Sequence, residues 1–243
     1  MKNSYNAIVF GLAIIIAALL LGNAYVNRSR PDGTIRVTGL GKTDFSSDLV
    51  VWEGSFRTQH PELKTAYANL ENDRALVEEY LLSKGVDKSV VVFGAVSTNR
   101  KMRVRYSDKG TYMGEEFEAY ELSRTVKIES KEIEKIEAIS REVTELLNRG
   151  VNFYSYTPRY YYTKLADLKI DLISQATEDA RVRAEKIAEY SGGGLGKLVS
   201  AQMGVFQITG QNSTEEYSWG GTFNTVDKNK TASITMKLTY KVR

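Results

Sequence analysis

The chain has 243 residues and a nearly balanced charge, with 33 basic and 30 acidic side chains and a formal net charge of +3. Nucleic-acid-binding proteins usually gather basic residues on one face, so this balance argues against that class. Cysteine is absent, which excludes disulfide bonds, a thiol nucleophile and cysteine metal ligands. The sequence contains one histidine, which also excludes a histidine cluster.

The N-terminal segment carries the clearest signal in the sequence. Residues 7–22 form an uninterrupted apolar block, and residues 5–25 carry no charge. As a helix of about 1.5 Å per residue, this stretch spans roughly 30 Å, the thickness of the hydrocarbon core of a bilayer. Tyr5 and Tyr25 stand at its two ends, where the interfacial aromatic residues of a transmembrane helix lie.

Two interpretations of this segment stay open. Lys2 supplies a thin basic start and residues 22–24 (Gly-Asn-Ala) an acceptable cleavage site, as in a secretory signal peptide. The length instead favours a retained anchor. We therefore expect residues 1–25 to be a transmembrane anchor or a signal peptide. In both cases a polar linker at residues 26–33 leads to an exported body at residues 34–243.

The body begins with two predicted strands and a long helix. Residues 34–38 and 48–58 are rich in β-branched and aromatic residues, which favours strands. Pro61 suits the first helical position, because its missing N–H would be unpaired there anyway, and Gly85 suits a left-handed end. The predicted core face, interrupted by Arg74, has apolar residues at helical spacing: Leu63, Tyr67, Leu70, Val77 and Leu81.

The same order of elements then recurs. Residues 89–97 and 117–128 are predicted strands, separated by a polar connection that contains Asp108-Lys-Gly110. Ser130 suits the N-cap of the next helix and Gly150 its end. The apolar face of this helix consists of Ile133, Ile136, Ile139, Val143 and Leu146.

A short internal repeat accompanies this recurrence. Residues 81–86 are Leu-Leu-Ser-Lys-Gly-Val, and residues 146–151 are Leu-Leu-Asn-Arg-Gly-Val. Each copy follows a strand and a helix and precedes another β-rich run. Two successive strand–helix–strand units predict a ferredoxin-like arrangement, an antiparallel four-stranded sheet with two helices. Chance similarity between two helix ends is the alternative.

A helix, a strand, a loop and a final strand are predicted for the rest of the chain. The helix covers residues 165–190, and residues 192–194, all glycine, break it. A strand at 198–209, a long mobile loop at 210–230 and an edge-like strand at 231–242 follow. Alanines on the apolar face of the helix permit close packing: Leu165, Leu168, Leu172, Ala176, Ala180, Ala184 and Ile187.

None of the motifs that bind nucleotides is complete. Gly39-Leu-Gly41 lacks the third glycine and precedes a strand, whereas a dinucleotide-binding turn opens a helix. Gly196-Lys197 follows a helix and precedes a strand, the reverse of the order in a phosphate-binding loop. His60 suits a helix cap. Carboxylate pairs such as Glu78-Glu79 lie in charged stretches, and nothing marks any pair as sharing the apolar pocket that acid–base catalysis uses. We expect no cofactor, no metal and no catalytic residue.

An aromatic cluster is the least generic feature of the body. It lies within residues 153–162 beside an arginine, and the predicted late loop adds a tyrosine and a tryptophan. The candidate contact surface comprises Tyr154, Tyr156, Arg159, Tyr160, Tyr161, Tyr162, Tyr217 and Trp219. Tyrosine, tryptophan and arginine are enriched in protein interfaces, but aromatic rings also stack on a sugar or a base. A strand could instead turn alternate tyrosines toward the core.

Four segments make the chain resemble the SIMPL-domain family of bacterial envelope proteins: Val37-Thr-Gly-Leu-Gly41, Asp48-Leu-Val-Val-Trp52, Ala176-Thr-Glu-Asp-Ala-Arg-Val-Arg-Ala184 and Gly196-Lys-Leu-Val-Ser200. The resemblance covers nearly all of residues 34–243, and the third segment is its most specific part. It implies an exported α+β protein, periplasmic or tethered to the inner membrane. A related periplasmic immunogen assembles into a ring-like oligomer, another relative is linked to oxidative-stress tolerance, and the family has no agreed catalytic residues.

The predicted fold class is α+β: an antiparallel sheet with helices on one face, built from the ferredoxin-like repeat and a helix–strand–strand extension, behind an N-terminal transmembrane helix. We expect a non-enzymatic envelope protein that self-associates into a larger assembly and has a link to stress tolerance. The alternative is a periplasmic module that binds an unidentified ligand through the aromatic cluster. The expected partners are the membrane, through residues 5–25, and further copies of the chain, not nucleic acid.

Overall fold

The computed structural model describes residues 2–28 and 33–243, and the surroundings of side chains for residues 11–25 and 33–243. The described helices are α1 (Lys2–Arg28), α2 (Leu63–Ser83), α3 (Ile133–Glu142), α4 (Glu145–Asn148) and α5 (Leu165–Tyr190). The described strands are β1 (Thr34–Ser46), β2 (Leu49–His60), β3 (Val91–Phe93), β4 (Ser97–Tyr106), β5 (Tyr112–Ser130), β6 (Phe153–Ser155), β7 (Arg159–Tyr161), β8 (Leu195–Met203), β9 (Gln207–Gly210), β10 (Thr222–Phe223) and β11 (Asn229–Val242). The fold is α+β with mostly antiparallel strands, as predicted.

The chain divides into two compact units. The terminal unit comprises the chain up to Leu40, Gln175–Gly204 and Thr235–Arg243. The central unit comprises Gly41–Ser174 and Val205–Ile234. The long elements β1, α5 and β11 each contribute residues to both units.

One sheet of the central unit follows the predicted repeat. Its strand order is β3-β5-β2-β6, with β4 also paired to β5 and β7 also paired to β2. The strand pairs in this sheet for which the register is described are antiparallel. Helix α2 follows β2, and α3 and α4 follow β5. The element order is therefore β-α-β-β-α-β, as in a ferredoxin-like unit, with β4 added.

The core of the central unit lies between this sheet and its helices. Trp52 and Phe56 of β2 are fully buried and stack on Phe153, with ring centroids 6.0 Å and 6.5 Å apart. The Trp52 indole N–H donates to Ser155 Oγ at 3.1 Å. The predicted face of the second helix is confirmed, because all five of its apolar residues are buried: Ile133, Ile136, Ile139, Val143 and Leu146.

The predicted face of α2 is wrong at its first two turns. Leu63 and Tyr67 are 45% and 51% exposed, because the start of α2 reaches past the core to the surface beside Val96. The helix begins two residues later than expected from Pro61, and its predicted end is confirmed by Gly85, whose φ is +78°. The buried side chains of α2 are Ala66, Leu70, Val77, Tyr80 and Leu81.

The polar connection expected around Asp108 contains a strand that the sequence pattern missed. All ten residues of β4 are exposed, and the strand pairs with β5 as far as Tyr106 opposite Tyr112. Gly110, with φ at +75°, lies in the turn that joins the two strands. Met102, Val104 and Tyr106 do alternate with Arg103 and Arg105, a short pattern that the assignment of this segment to a polar connection overlooked.

In the terminal unit, α5 packs closely on β1. The buried residues of α5 there are Ala176, Ala180, Ala184 and Ala188, so Ala188 continues the predicted face and the exposed Ile187 does not. A Cβ atom at Gly39 would lie 2.5 Å from Ala180 N and 2.7 Å from Ala180 Cβ. The Leu40 N–H donates to Asp179 Oδ2 at 2.8 Å. Gly39 is thus needed for close packing of strand and helix.

The last strand is central, and the prediction of an edge-like strand was wrong. β11 lies between β1 on one side and β8 and β9 on the other. The strand expected at 198–209 is divided into β8 and β9, which pair with different parts of β11. Ala232, Ile234 and Leu238 of β11 are buried.

Helix α1 covers the apolar N-terminal segment, and its described side chains, those of residues 11–25, are all exposed. Across the described residues, no helix has the combination of length and apolar character needed to cross a bilayer. The side chains of residues 2–10 lie outside the described part. So do residues 29–32, half of the expected linker.

The packing of β1 on α5 predicts a large effect of the substitution Gly39→Ala. The added methyl group would overlap the backbone of α5, which cannot move aside as a flexible side chain can. We expect the free energy of unfolding to fall by about 3 kcal/mol or more, measured by denaturant titration. In the control Gly33→Ala the new Cβ would lie 3.5 Å from Val242 Cβ, so we expect a change of at most about 0.5 kcal/mol. Equal stability of the two variants would contradict the proposed packing.

Candidate functional site

Part of the aromatic cluster lines an open groove on the sheet face that points away from the helices. The groove has a volume of about 850 Å³. Odd-numbered residues of β2 and β5 form its floor, since their even-numbered neighbours point into the core: Leu49, Val51, Glu53, Lys127 and Glu129. The segment from Tyr156 to Thr163 forms one wall, and Val226 also lines the groove.

Four of the predicted contact residues meet at this groove: Tyr156, Arg159, Tyr161 and Tyr162. Tyr154 does not line it, but its exposed ring contacts that of Tyr156 edge-on, with centroids 5.0 Å apart. The Tyr162 ring packs at 4.9 Å from that of Phe45. The groove therefore presents aromatic rings that are partly held in place by neighbouring rings.

Tyr160 points away from this surface. Its ring packs against the hydrophobic core of the central unit. Burial, followed by a hydrogen bond with the Glu137 carboxylate, raises the pKa of Tyr160 to about 12. Strand alternation thus assigns Tyr160 to packing and its neighbours Arg159 and Tyr161 to the groove, which was one of the expected alternatives.

Tyr217 and Trp219 are not among the residues that line the groove. Both are highly exposed, and the Trp219 side chain is 99% accessible. Gln207 holds their loop, because its amide N–H donates to Ser218 O at 2.7 Å and its Oε1 accepts from Thr222 N at 2.9 Å. The predicted contact residues therefore lie in at least two separate places on the central unit.

The region expected to be a long mobile loop contains a buried polar network. Lys230 is 2% exposed, and its ammonium group donates to Tyr160 O at 2.6 Å and to Asn224 O at 2.7 Å. The Asn224 amide donates to the carboxylates of Glu215 and Asp227 at 2.8 Å and 2.9 Å. These bonds tie the loop to the wall of the groove, because Tyr160 belongs to β7.

Burial lowers the pKa of Lys230 to about 8, although the carboxylates of Asp227 and Glu215 oppose the shift. Desolvation disfavours the charged form of a lysine more strongly than these two carboxylates favour it. No local pattern in the sequence distinguishes this lysine from the half-buried Lys228 and the exposed Lys237, because its acceptors include a carbonyl 70 residues away.

A second clamp fixes the far end of the groove wall. Asp48 accepts from the Thr163 N–H at 2.7 Å and from the Thr163 hydroxyl at 2.6 Å. The Asp48 N–H donates to Tyr161 O at 3.0 Å. Burial opposes the effect, but the hydrogen bonds from Thr163 lower the pKa of Asp48 overall. The start of β2 thereby positions Tyr161 and Tyr162.

The charges of the groove have both signs. Glu53 and Lys127 stand opposite each other in the register of β2 and β5, and Glu129 and Arg159 lie nearby on the same lining. Within the described residues, no group of three or more potential metal-ligating side chains is close enough to hold an ion. The groove can offer hydrogen bonds, ionic contacts and ring stacking to a ligand.

A family model described as SIMPL, a protein of unknown function (DUF541), matches residues 35–240. The chain belongs to the SIMPL family. No curated protein matches the chain. The resemblance seen in the sequence is therefore confirmed.

The segments that carry the SIMPL resemblance contain residues that pack the fold together. Residues 37–41 contain Gly39, which packs on the helix segment 176–184, and residues 48–52 contain Asp48 and the buried Trp52. None of these contacts forms a reactive arrangement of side chains. In this SIMPL protein the shared segments account for packing and for the position of the groove wall.

The buried lysine predicts a specific dependence of stability on pH. Because its pKa in the folded state is about 8 and its ordinary value is 10.5, the unfolded chain binds a proton between these values and the folded chain does not. Stability should therefore rise with pH in this window, by about 3 kcal/mol relative to Lys230→Met. Denaturant titrations at pH 7.5 and 10.5 measure this difference.

The exposed Lys237 provides the matched control. Lys237→Met should keep the pH dependence of the wild-type protein, whereas Lys230→Met should lose the rise. Parallel pH profiles of the wild-type protein and Lys230→Met would show that Lys230 does not titrate in this way.

Proposed function

We propose that this SIMPL protein is a non-enzymatic component of the bacterial cell envelope that self-associates into a larger homo-oligomer. The observation that carries the proposal is the row of large apolar side chains that is exposed along one side of β4 and the first half of β5: Met102, Val104, Tyr106, Tyr112 and Phe117. Monomeric soluble proteins rarely expose large contiguous apolar patches, and such patches commonly mark protein interfaces.

The proposed location is the inner membrane, with residues 5–25 as the anchor, or the periplasm after cleavage. It is supported by the uncharged N-terminal segment and by the exposure of the described side chains of α1. A link to oxidative-stress tolerance rests on the family likeness alone. Cell fractionation with an intact-mass measurement tests the location and the cleavage, and peroxide survival of a deletion strain tests the link.

A non-enzymatic role is supported by the chemistry of the groove. Its carboxylate and ammonium groups face each other across neighbouring strands, as Glu53 and Lys127 do, and such pairs stabilise a sheet. Acid–base catalysis instead requires carboxyl groups whose surroundings set their pKa values apart. Turnover of a substrate that depends on Glu53 or Glu129 would overturn this part of the proposal.

If the protein self-associates, its particles should have the mass of several chains. We expect mass photometry of the full-length protein, purified in mild detergent, to show this mass across dilutions, because large interfaces persist at nanomolar concentration. Detergent micelles without protein serve as the blank. A single-chain mass at every concentration would exclude self-association of the purified protein.

Ligand binding in the groove is the second candidate function. The observation that favours it is the groove itself, whose volume of about 850 Å³ lies within the usual range for small-molecule sites. Three tyrosines and Arg159 suit a sugar or an aromatic compound with polar substituents, because rings stack and the charged groups fix the orientation.

A thermal-shift screen with envelope glycan fragments and aromatic acids tests this candidate. A ligand at a hundred times its dissociation constant stabilises by about 2.7 kcal/mol, so we expect the midpoint to rise by several degrees. Arg159→Ala and Tyr161→Ala should abolish the rise, and Trp219→Ala, outside the groove lining, should preserve it. A shift that survives both groove substitutions would place the ligand elsewhere.

A further inference from the structure

The β-ribbon formed by β4 and the first half of β5 continues the helix-facing side of the central sheet. Thr98 of β4 pairs with Leu122 of β5, which is buried in the core beneath the helices. Both register irregularities of the ribbon add their extra residue to β5, so the alternation along β4 is regular. Even-numbered residues of β4 therefore stay on the helix-facing side, beyond the start of α2.

This side of the ribbon is mostly apolar, and its apolar side chains are largely exposed. We call it the ribbon face; it comprises Met102, Val104, Tyr106, Tyr112 and Phe117, which are 37–64% exposed. Met102 pairs with Phe117, and Tyr106 pairs with Tyr112 at the tip, where the two rings lie 6.3 Å apart. The tip is thus a pair of tyrosines that projects from the sheet.

The base of the ribbon adjoins a shallow apolar groove of about 580 Å³. Leu63 and Tyr67 of α2 line this base groove together with Val96 and Thr98. These are the two α2 residues that the sequence pattern assigned to the core and that are exposed instead. An apolar concavity therefore lies at one end of the ribbon and an aromatic projection at the other.

The opposite side of the ribbon is charged and internally paired. Glu116 forms ion pairs with Arg103 and with Arg105, the latter at 3.4 Å, and Lys101 lies 3.6 Å from Glu118. The ribbon is therefore amphipathic, although its apolar side is not covered by any part of the chain that the structure describes. Two-stranded ribbons are marginally stable in water on their own, so burial of this face would stabilise it.

The exposed area of the ribbon face and the charges on this side of the ribbon favour a second copy of the chain as the occupant. Together with Leu63 and Tyr67, the ribbon face exposes roughly 800 Å², which is what one partner contributes to a standard interface. A two-fold interface must be complementary to itself. This side also carries charges of both signs, because Glu115 stands opposite Val104, Arg100 lies over the Phe117 ring and Lys64 lines the base groove. Charges of one sign would instead repel a second copy.

We propose that two copies of this chain pack their ribbon faces against each other around a two-fold axis, with the tip of each ribbon in the base groove of the other. The inference rests on the proposed self-association and specifies its surface. From Thr98 to Tyr106 the strand extends roughly 26 Å. In this arrangement Tyr106 of one copy therefore lies beside Leu63 of the other, while the two tips lie far apart.

Cysteine cross-linking tests this arrangement without background, because the chain has no cysteine of its own. Leu63→Cys and Tyr106→Cys, each with a different affinity tag, are produced as full-length chains in the same cells and oxidised. We expect a disulfide-linked pair that carries both tags to be the main product. Either variant alone should stay unlinked, because like positions are separated by more than the roughly 7 Å that a disulfide spans.

Tyr190→Cys replaces Tyr106→Cys in the matched control, since Tyr190 is also an exposed tyrosine, 86% accessible, but lies at the end of α5. It should not link to Leu63→Cys. In addition, Tyr112→Glu should reduce the particle mass and Tyr190→Glu should not. Wild-type oligomers combined with an unlinked Leu63–Tyr106 mixture would overturn the ribbon interface and leave self-association standing. A wild-type monomer would overturn both and indicate a different protein as the occupant.

Discussion

The contact between β1 and α5 is the constraint on which the terminal unit depends. Gly39 has no side chain, and α5 presents alanines to it, so strand and helix approach each other with no room for a methyl group. The hydrogen bond from Leu40 to Asp179 joins residues 139 positions apart. Bringing such distant residues together has an entropic cost that the contact must offset. Both partners lie in segments that carry the SIMPL resemblance, so the most specific part of that resemblance describes packing.

In the central unit, the two-residue period of β2 produces both the core and the groove. Val50, Trp52 and Phe56 enter the core, while Leu49, Val51 and Glu53 form the floor of the groove. A slip of one residue would exchange the two sets and bury a carboxylate, so the pairing register is strongly fixed. Lys230 then holds the groove wall at Tyr160 in the middle of β7, and Asp48 holds it at Thr163, just after the strand.

The sequence predicted helices whose apolar residues recur at regular spacing because one face is buried. The isoleucine face of α3 was found for this reason. The strand at 48–58 was found from its β-branched and aromatic residues, and four of the eight candidate contact residues meet at one groove. The ribbon was missed because its many charges led to its assignment as a polar connection, although apolar residues alternate with arginines from Met102 to Tyr106. β11 looked like an edge because one of its neighbours, β1, is distant in sequence. Lys230 could not be recognised, since its burial depends on carbonyl groups that only the fold brings together.

The groove and the ribbon face lie on opposite sides of the same sheet. Lys127 and Glu129 of β5 face the groove, whereas Phe117 of the same strand belongs to the side that the helices cover farther along. A second copy bound at the ribbon would therefore leave the groove accessible to a ligand. Because β5 runs through both surfaces as one continuous strand, burial of the ribbon in an assembly would also stabilise the strand that forms part of the groove floor. Assembly and ligand binding are thus compatible in one molecule.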